Sequence, residues 1–236
     1  MLEKEKQRIK NLKFSSWEGF NSKLIEFRYK TLSSFFNGEK CLELGCGDGK
    51  GTEFLLPYFE KIFTVNGSSK LINSLKRKIK SKRVITHVSL FEEYNPNEQF
   101  DTIIMGHILE HVKDPVLILK RVKKWVKKNG VILIDVPNAN SLHRQVGVKM
   151  GLLKRVTDLN EQDKKIGHRR VYTIDTLKKD IQKAGLKIRK LGGIFLKPLS
   201  NKQIEEHWDD KMINAFYELG KEYPEIAAEI YAVCSL

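Results

Sequence analysis

The stretch "CLELGCGDGKG" (residues 41–51) sets glycines at 45, 47, 49 and 51, with Glu43 and Asp48 close beside them. A turn rich in glycine lets backbone approach a ligand because no Cβ stands in the way. Two ligand charges compete for such a turn. A dinucleotide pyrophosphate wants G-x-G-x-x-G and a helix N-terminus facing the anion. Gly45 and Gly47 fit that spacing, but Lys50 occupies the third glycine position. Two carboxylates beside a pyrophosphate in a partly dry cleft would repel it. The same acids favour a cation, and S-adenosylmethionine carries two, an ammonium and a sulfonium.

The elements that must hold this turn can be read from the alternation of apolar and amphipathic segments. "KCLEL" (40–44), "KIFTVN" (61–66), "RVITHV" (83–88), "DTIIMG" (101–106) and "VILIDV" (131–136) read as five buried strands. Strands apolar throughout and separated by helices imply a parallel sheet covered on both sides. The clearest helix is 114–127, where Asp114 caps, Pro115 suits the first helical position and Asn129-Gly130 stops the run. Helices are also predicted over 173–184 and 201–219, with a strand near 186–194 between them and a last apolar segment, "AAEIYAVC" (227–234). Residues 1–38 read as helical, with Trp17, Phe20, Phe27 and Tyr29 as aromatic anchors. Residues 137–170 are polar and irregular, and so long a stretch inside a compact domain is usually functional.

"LELGCGDG" together with "FDTIIMGHILEHVKDPVLILKRVKKWVKKNGVILIDVPN" (100–138) resembles the class I S-adenosylmethionine-dependent methyltransferases, in the branch of ubiquinone and small-molecule O-methyltransferases. The resemblance covers roughly residues 39–195, and two motifs together are far more specific than a glycine loop alone. It implies an α/β, Rossmann-like, seven-stranded, mostly parallel sheet with helices on both faces and the last strand antiparallel, for which "AAEIYAVC" is the candidate. It implies an N-terminal helical cap (1–38) and a methyltransferase domain (39–236) in which 137–170 binds the acceptor. For the cofactor it implies that Glu43 orients the methionine end, that Gly45, Cys46 and Gly47 run beneath it, and that Gly106 and His107 lie under the methyl group. Leu90 and Phe91 would wall the adenine, with Ser89 near its polar edge. The ribose position, usually an acid in this family, holds Asn66 here. A neutral amide pairs more weakly with a diol than a carboxylate does, so weaker cofactor affinity is expected.

The resemblance also places the acceptor against "NANSLHRQ" (138–145) and "GHRRVYT" (167–173). Transfer to a hydroxyl gains from a base of near-neutral pKa. His168 leads as that base, with His143 and Tyr172 as further catalytic candidates. Asn138, Arg144, Arg169, Arg170 and His111 are the substrate-binding candidates, since arginine grips phosphate or carboxylate with two parallel hydrogen bonds. Blander roles compete: His111 packing its turn, and the Arg169-Arg170 pair balancing Asp163 or Asp175. Lys197 joins this face only if the sheet order is right. No triad of acids is visible, so a metal-independent reaction is expected.

A net charge of +14 excludes nothing by itself. It suits a solvated basic surface, and also attraction to nucleic acid or an anionic substrate. The lysine-rich runs "KRKIKSKR" (76–83) and "KRVKKWVKK" (120–128) lack the interleaved aromatics on which single-strand binders stack bases. Three cysteines in no zinc spacing, the charged start and the absence of a long apolar run point to a cytoplasmic protein with free thiols, a monomer or homodimer without membrane insertion. The leading expectation is an enzyme methylating a small, polar, anionic acceptor at oxygen: a sugar, nucleotide sugar or phosphorylated metabolite, with surface-polysaccharide biosynthesis as its setting. An RNA methyltransferase and a non-catalytic cofactor-binding homologue are the alternatives.

Overall fold

All five apolar runs form strands, and two more complete the sheet. In the computed structural model, which describes residues 18–236, the strands are β1 (Lys40–Leu44), β2 (Lys61–Asn66), β3 (Val84–Val88), β4 (Phe100–Gly106), β5 (Val126–Pro137), β6 (Lys187–Ile194) and β7 (Glu229–Ser235). Their order is β3-β2-β1-β4-β5-β7-β6. The neighbours from β3 to β5 pair in parallel, and β7 runs antiparallel to both β5 and β6. The expected antiparallel strand is therefore "AAEIYAVC", inserted beside β5 rather than at an edge.

The period-2 alternation of a strand sends neighbouring side chains to opposite faces, so a fully apolar strand feeds two cores. On one face Ile103, Met105, Ile132 and Ile134 pack with Ile118, Leu119, Val122 and Trp125 of α4 (Pro115–Trp125) and with Leu177 and Ile181 of α7 (Ile174–Lys183). On the other face Ile104 and Leu133 pack with Phe20 and Phe27 of α1 (Gly19–Leu32) and with Tyr217 of α9 (Asp210–Glu222). The rings of Phe27 and Tyr217 stack with centroids 4.2 Å apart. Trp17 lies outside the described residues, as does the rest of the segment before Glu18.

Two boundaries differ from expectation. Asp114 caps α4 by accepting from the Leu117 N–H at 2.9 Å, as its sequence predicts, but the helix ends at Trp125 and β5 begins at once. Asn129-Gly130 lies inside β5, where the register against β4 shifts, and Lys127 pairs with Asp101 across that irregularity at 2.7 Å. The helix expected over 201–219 is two helices, α8 (Asn201–His207) and α9, because Asp209 caps a fresh start by accepting from the Met212 N–H at 2.8 Å. The polar stretch 137–170 contains two short helices, α5 (Leu142–Lys149) and α6 (Glu161–Lys165). Between β1 and β2 lies α2 (Lys50–Leu55), and between β2 and β3 lies α3 (Ser69–Lys78). No helix among the described residues is long and apolar enough to cross a membrane.

Candidate active site

Chain direction reverses its progress across the sheet between β1 and β4, and ligands of doubly wound sheets bind at the carboxyl ends of strands at such a point. A cavity of about 800 Å³ opens there. Its walls come from the turn after β1, the ends of β2 and β4, α1, the 137–170 stretch and the segments flanking β6 and β7.

The cofactor half is built from backbone. Gly45 has φ +76°, the left-handed region open to glycine, and a Cβ there would collide with Ile108. The Gly45 N–H donates to the Val65 carbonyl at 2.8 Å, which fixes the turn against β2. Gly45, Cys46, Gly47, Asn66, Leu90, Phe91, Gly106 and His107 all line the cavity. Two expected members do not. Glu43 is buried behind the turn, where its carboxylate accepts from the Tyr29 and Thr52 hydroxyls, each at 2.5 Å. Burial pushes its carboxyl up against those two donors. Ser89 spends its hydroxyl on the Leu90 carbonyl at 3.0 Å. Asp48, the other acid of the motif, pairs with Lys78 at 2.7 Å. The negative wall expected from Glu43 and Asp48 is thus absent from the cavity surface. Asn66 lines the cavity, and its Oδ1 accepts from the Ser68 N–H at 2.8 Å.

The opposite half is built from charge. His107 directly follows β4 with φ +54°, and its Nε2 stands 3.1 Å from Glu229 on β7 and 3.4 Å from Asp135 on β5. Arg28 of α1 binds the same two acids, reaching Glu229 through Nη2 at 2.7 Å and Asp135 through Nε at 2.6 Å. Burial and Arg28 act to lower the His107 pKa, but Glu229 and Asp135 outweigh them and push it up to about 10. The imidazole is therefore cationic at neutral pH and no base. Burial alone would raise Glu229, yet Arg28 and His107 hold it well below the usual carboxylate range. Glu110, wholly buried, is pushed up by desolvation, and neither of its oxygens has a hydrogen-bond partner. Of these acids only Glu229 lines the cavity; Asp135 and Glu110 lie buried behind it, as the acids of the glycine motif do.

The polar stretch folds back onto the turn after β4. His168 and His111 both line the cavity, their rings 4.7 Å apart. Asp163 fixes His168 through Nδ1 at 2.9 Å, and His168 Nε2 lies 3.9 Å from Glu110. Asp163 itself is held down to about 2: burial opposes this, but His168, the Asn160 N–H and Arg144 stabilise its charge. Glu110, His111 and His168 thus gather three groups of metal-ligand type, as do His107, Asp135 and Glu229.

Five expected residues need correction. Tyr172 is in the core, its hydroxyl donating to Asp180 at 3.1 Å, and burial with that acid pushes its pKa up, so it is no catalytic acid or base. Arg170 grips the Leu109, Val112 and Lys113 carbonyls at 2.8, 2.7 and 3.1 Å, and Arg169 donates to the His111 carbonyl at 2.9 Å. Both splint the turn after β4 and do not reach the cavity. Arg144 lines the cavity but is committed to Asp163, at 2.9 Å, and to the Val156 and Asp158 carbonyls. Asn138 likewise donates to the Glu225 and Ala227 carbonyls, each at 2.9 Å. Arg28, Asp135 and Glu229 went unnoticed in sequence, although a lone acid in "VILIDV" or "AAEIYAVC" is a signal: a charge on a buried strand must find a partner.

Comparison with known proteins places the chain in a family. A family model described as a methyltransferase domain matches residues 17–191. A ubiquinone biosynthesis O-methyltransferase of Rhodopseudomonas palustris is 26% identical over 202 residues, which covers 83% of this chain and 76% of that protein. An (S)-coclaurine N-methyltransferase of Papaver somniferum is 29% identical over 112 residues, 45% of this chain, and the match spans only 32% of that protein. Among solved structures, a SAM-dependent methyltransferase of Leishmania major superposes with a TM-score of 0.67 at 13% identity, covering 99% of this chain and 82% of that one. The N-methyltransferase NodS of Bradyrhizobium japonicum, in complex with S-adenosylhomocysteine, gives 0.61 at 13% identity, covering 98% and 96%. At such identities the structures speak for the fold alone.

Proposed function

The chain belongs to the methyltransferase-domain family as a class I S-adenosylmethionine-dependent enzyme, and from that premise we propose that its acceptor is a small polar molecule bearing an anionic group, methylated at oxygen. The observation that carries this reading is the cavity itself. At about 800 Å³ it falls within the roughly 300–1,000 Å³ typical of small-molecule sites, and it holds both the glycine turn and the histidine wall. A polymer would need an open groove instead.

The residues fit the cofactor: the turn at Gly45 has the positive φ of glycine and lines the cavity with Cys46 and Gly47, and Glu229 places one carboxylate on the opposite wall. When bound, S-adenosylmethionine supplies an electrophilic methyl on a sulfonium. In this reading Gly45, Cys46 and Gly47 support its methionine end, Asn66 meets the ribose through its NH₂, and Leu90 and Phe91 hold the adenine. The cap formed by α1 closes the cavity through Arg28 and Tyr29. His168 takes the acceptor proton at Nε2 while Asp163 holds its Nδ1 and orients the ring, the arrangement by which a carboxylate stabilises an imidazolium. Sugars, nucleotide sugars and phosphorylated metabolites meet this description, and surface-polysaccharide synthesis would supply them. Release of S-adenosylhomocysteine on adding pools of such acceptors tests the reading. Turnover only with RNA, with a steep fall in binding as salt rises, would replace it.

A further inference from the structure

Beyond His168 the cavity reaches a second wall, made by the segment after β6 and the start of α5. Lys197 stands there, its carbonyl accepting from the His143 N–H at 2.9 Å. Because β6 runs parallel to β5, its carboxyl end delivers Lys197 to the same rim as the glycine turn. The ammonium donates to Asn201 Oδ1 at 2.6 Å, and Asn201 donates in turn to Asn21 of α1 at 2.7 Å. Among the described residues Lys197 forms no ion pair, and that neutral amide is its one hydrogen-bond partner. Glu229 shares the cavity but is committed to Arg28 and His107. Beside Lys197, His143 has a buried Nδ1 with no hydrogen-bond partner.

Such a pair is costly as it stands. A desolvated ammonium in no ion pair, with only the more distant Glu229 to attract it, and an imidazole Nδ1 without a hydrogen bond each weaken the folded state. Burial brings the Lys197 pKa down to about 8, and burial with Lys197 and Arg144 brings His143 down to about 3. At neutral pH the lysine is mostly charged, and the histidine is neutral with one ring N–H. Both line the cavity. The lysine is in no ion pair and feels only the more distant charge of Glu229, and the histidine beside it has a ring N–H to offer.

We infer that Lys197 and His143 form a subsite for the acceptor's anionic group, a carboxylate or a phosphate monoester. The ammonium neutralises the charge with its two spare N–H groups, and the imidazole adds a hydrogen bond. The inference rests on the reading of the chain as an enzyme acting on a small acceptor, and it assigns the specificity that Arg169 and Arg170 were expected to supply. The methionine carboxylate of the cofactor is the rival anion. It belongs at the turn after β1, and β6 lies four strand spacings away, about 19 Å at roughly 4.8 Å per strand.

The test uses the full chain labelled with ¹³C-lysine and saturated with S-adenosylhomocysteine, titrated with inorganic phosphate and, separately, with acetate. The Lys197 Cε resonance should shift saturably and its titration midpoint should rise; the arm with the larger response names the group. The K197M variant should still bind S-adenosylhomocysteine but lose the anion-dependent shift of the His143 ring, and K197R should keep it. No saturable response in either arm overturns the inference, as does a Lys197 response to S-adenosylhomocysteine that leaves none for the anions. The wild-type titration decides even if K197M does not fold. Failure of the wild type to bind S-adenosylhomocysteine would instead overturn the methyltransferase reading, and that is seen before any anion is added.

Discussion

The two halves of the cavity are made in different ways. At the tips of β1–β3 the chain offers a tight glycine turn, an amide and an apolar pair, and its acids, Glu43 and Asp48, are satisfied behind the surface by Tyr29, Thr52 and Lys78. At the tips of β4, β5 and β7 it offers a buried ionic network in which Arg28, His107, Asp135 and Glu229 neutralise one another. The first half depends on shape, so a few contiguous residues suffice. The second depends on charges that must meet in a poorly solvated place, and those come from segments far apart in the chain. A cofactor common to a family suits the first design. An acceptor that differs between members suits the second, where substitution of single residues changes which groups are left unpaired.

The largest effect should come from the charged half. His168→Ala removes the base and should lower turnover by about 10²–10⁴-fold while calorimetry finds S-adenosylhomocysteine bound as before. Equal loss of cofactor affinity would show that the halves are not separable. Next, Arg28→Met leaves Asp135 and Glu229 buried without their arginine and should cost about 3–5 kcal/mol in urea unfolding. Glu43→Gln, on the shape-dependent side, disturbs two hydroxyl donors and should cost less, about 1–3 kcal/mol. If the two cost the same, the contrast between the halves fails.

A smaller effect should follow pH. Lys197 must be protonated to hold an anion, so the acceptor KM should be flat below about 8 and rise above it, because its pKa is depressed from the usual lysine value rather than raised. The titratable groups that act on it, Glu229 and His143, do not change that direction: Glu229 stays ionised and His143 stays neutral across this range. A KM that is unchanged from neutral pH to well above 8 would count against Lys197. On the cofactor side, Asn66→Asp keeps one oxygen for the Ser68 N–H and frees another for the ribose, so affinity for S-adenosylmethionine should rise about tenfold, the gap between charged and neutral hydrogen bonds. Unchanged or weaker binding would contradict that account. EDTA should have no effect on turnover, since attack on a sulfonium methyl needs no Lewis acid. Loss of turnover restored by magnesium would place a cation among Glu110, His111 and His168.

Much of this was legible in one dimension because its causes are local. The strands announced themselves through unbroken apolar runs, α4 through Asp114 and Pro115, and the cofactor turn through Gly45 and Gly47, whose backbone demands do not depend on distant residues. Where local signals competed, neighbours decided: Asn129-Gly130 reads as a helix stop, but it lies inside β5 at the register shift, between the pairs Phe100–Val126 and Thr102–Val131. Polar side chains were less readable. Arg169 and Arg170 have the chemistry of anion grips, and nothing nearby in sequence reveals that they hold the carbonyls of residues 109–113 instead. Tyr172 and Glu43 were assigned to the cavity for the same reason.

From the sequence by itself came the fold class and the glycine turn, since backbone geometry and hydrophobic periodicity act over a few residues; the cationic donor follows from the family resemblance, not from Glu43 and Asp48, which do not reach the cavity. Only the folded chain decided which charged groups face the ligand. Electrostatic partnership depends on distance in space, and β7, arriving between β5 and β6, brings Glu229 to Arg28 and His107 across most of the chain's length. The same packing leaves Lys197 and His143 without an anion of their own.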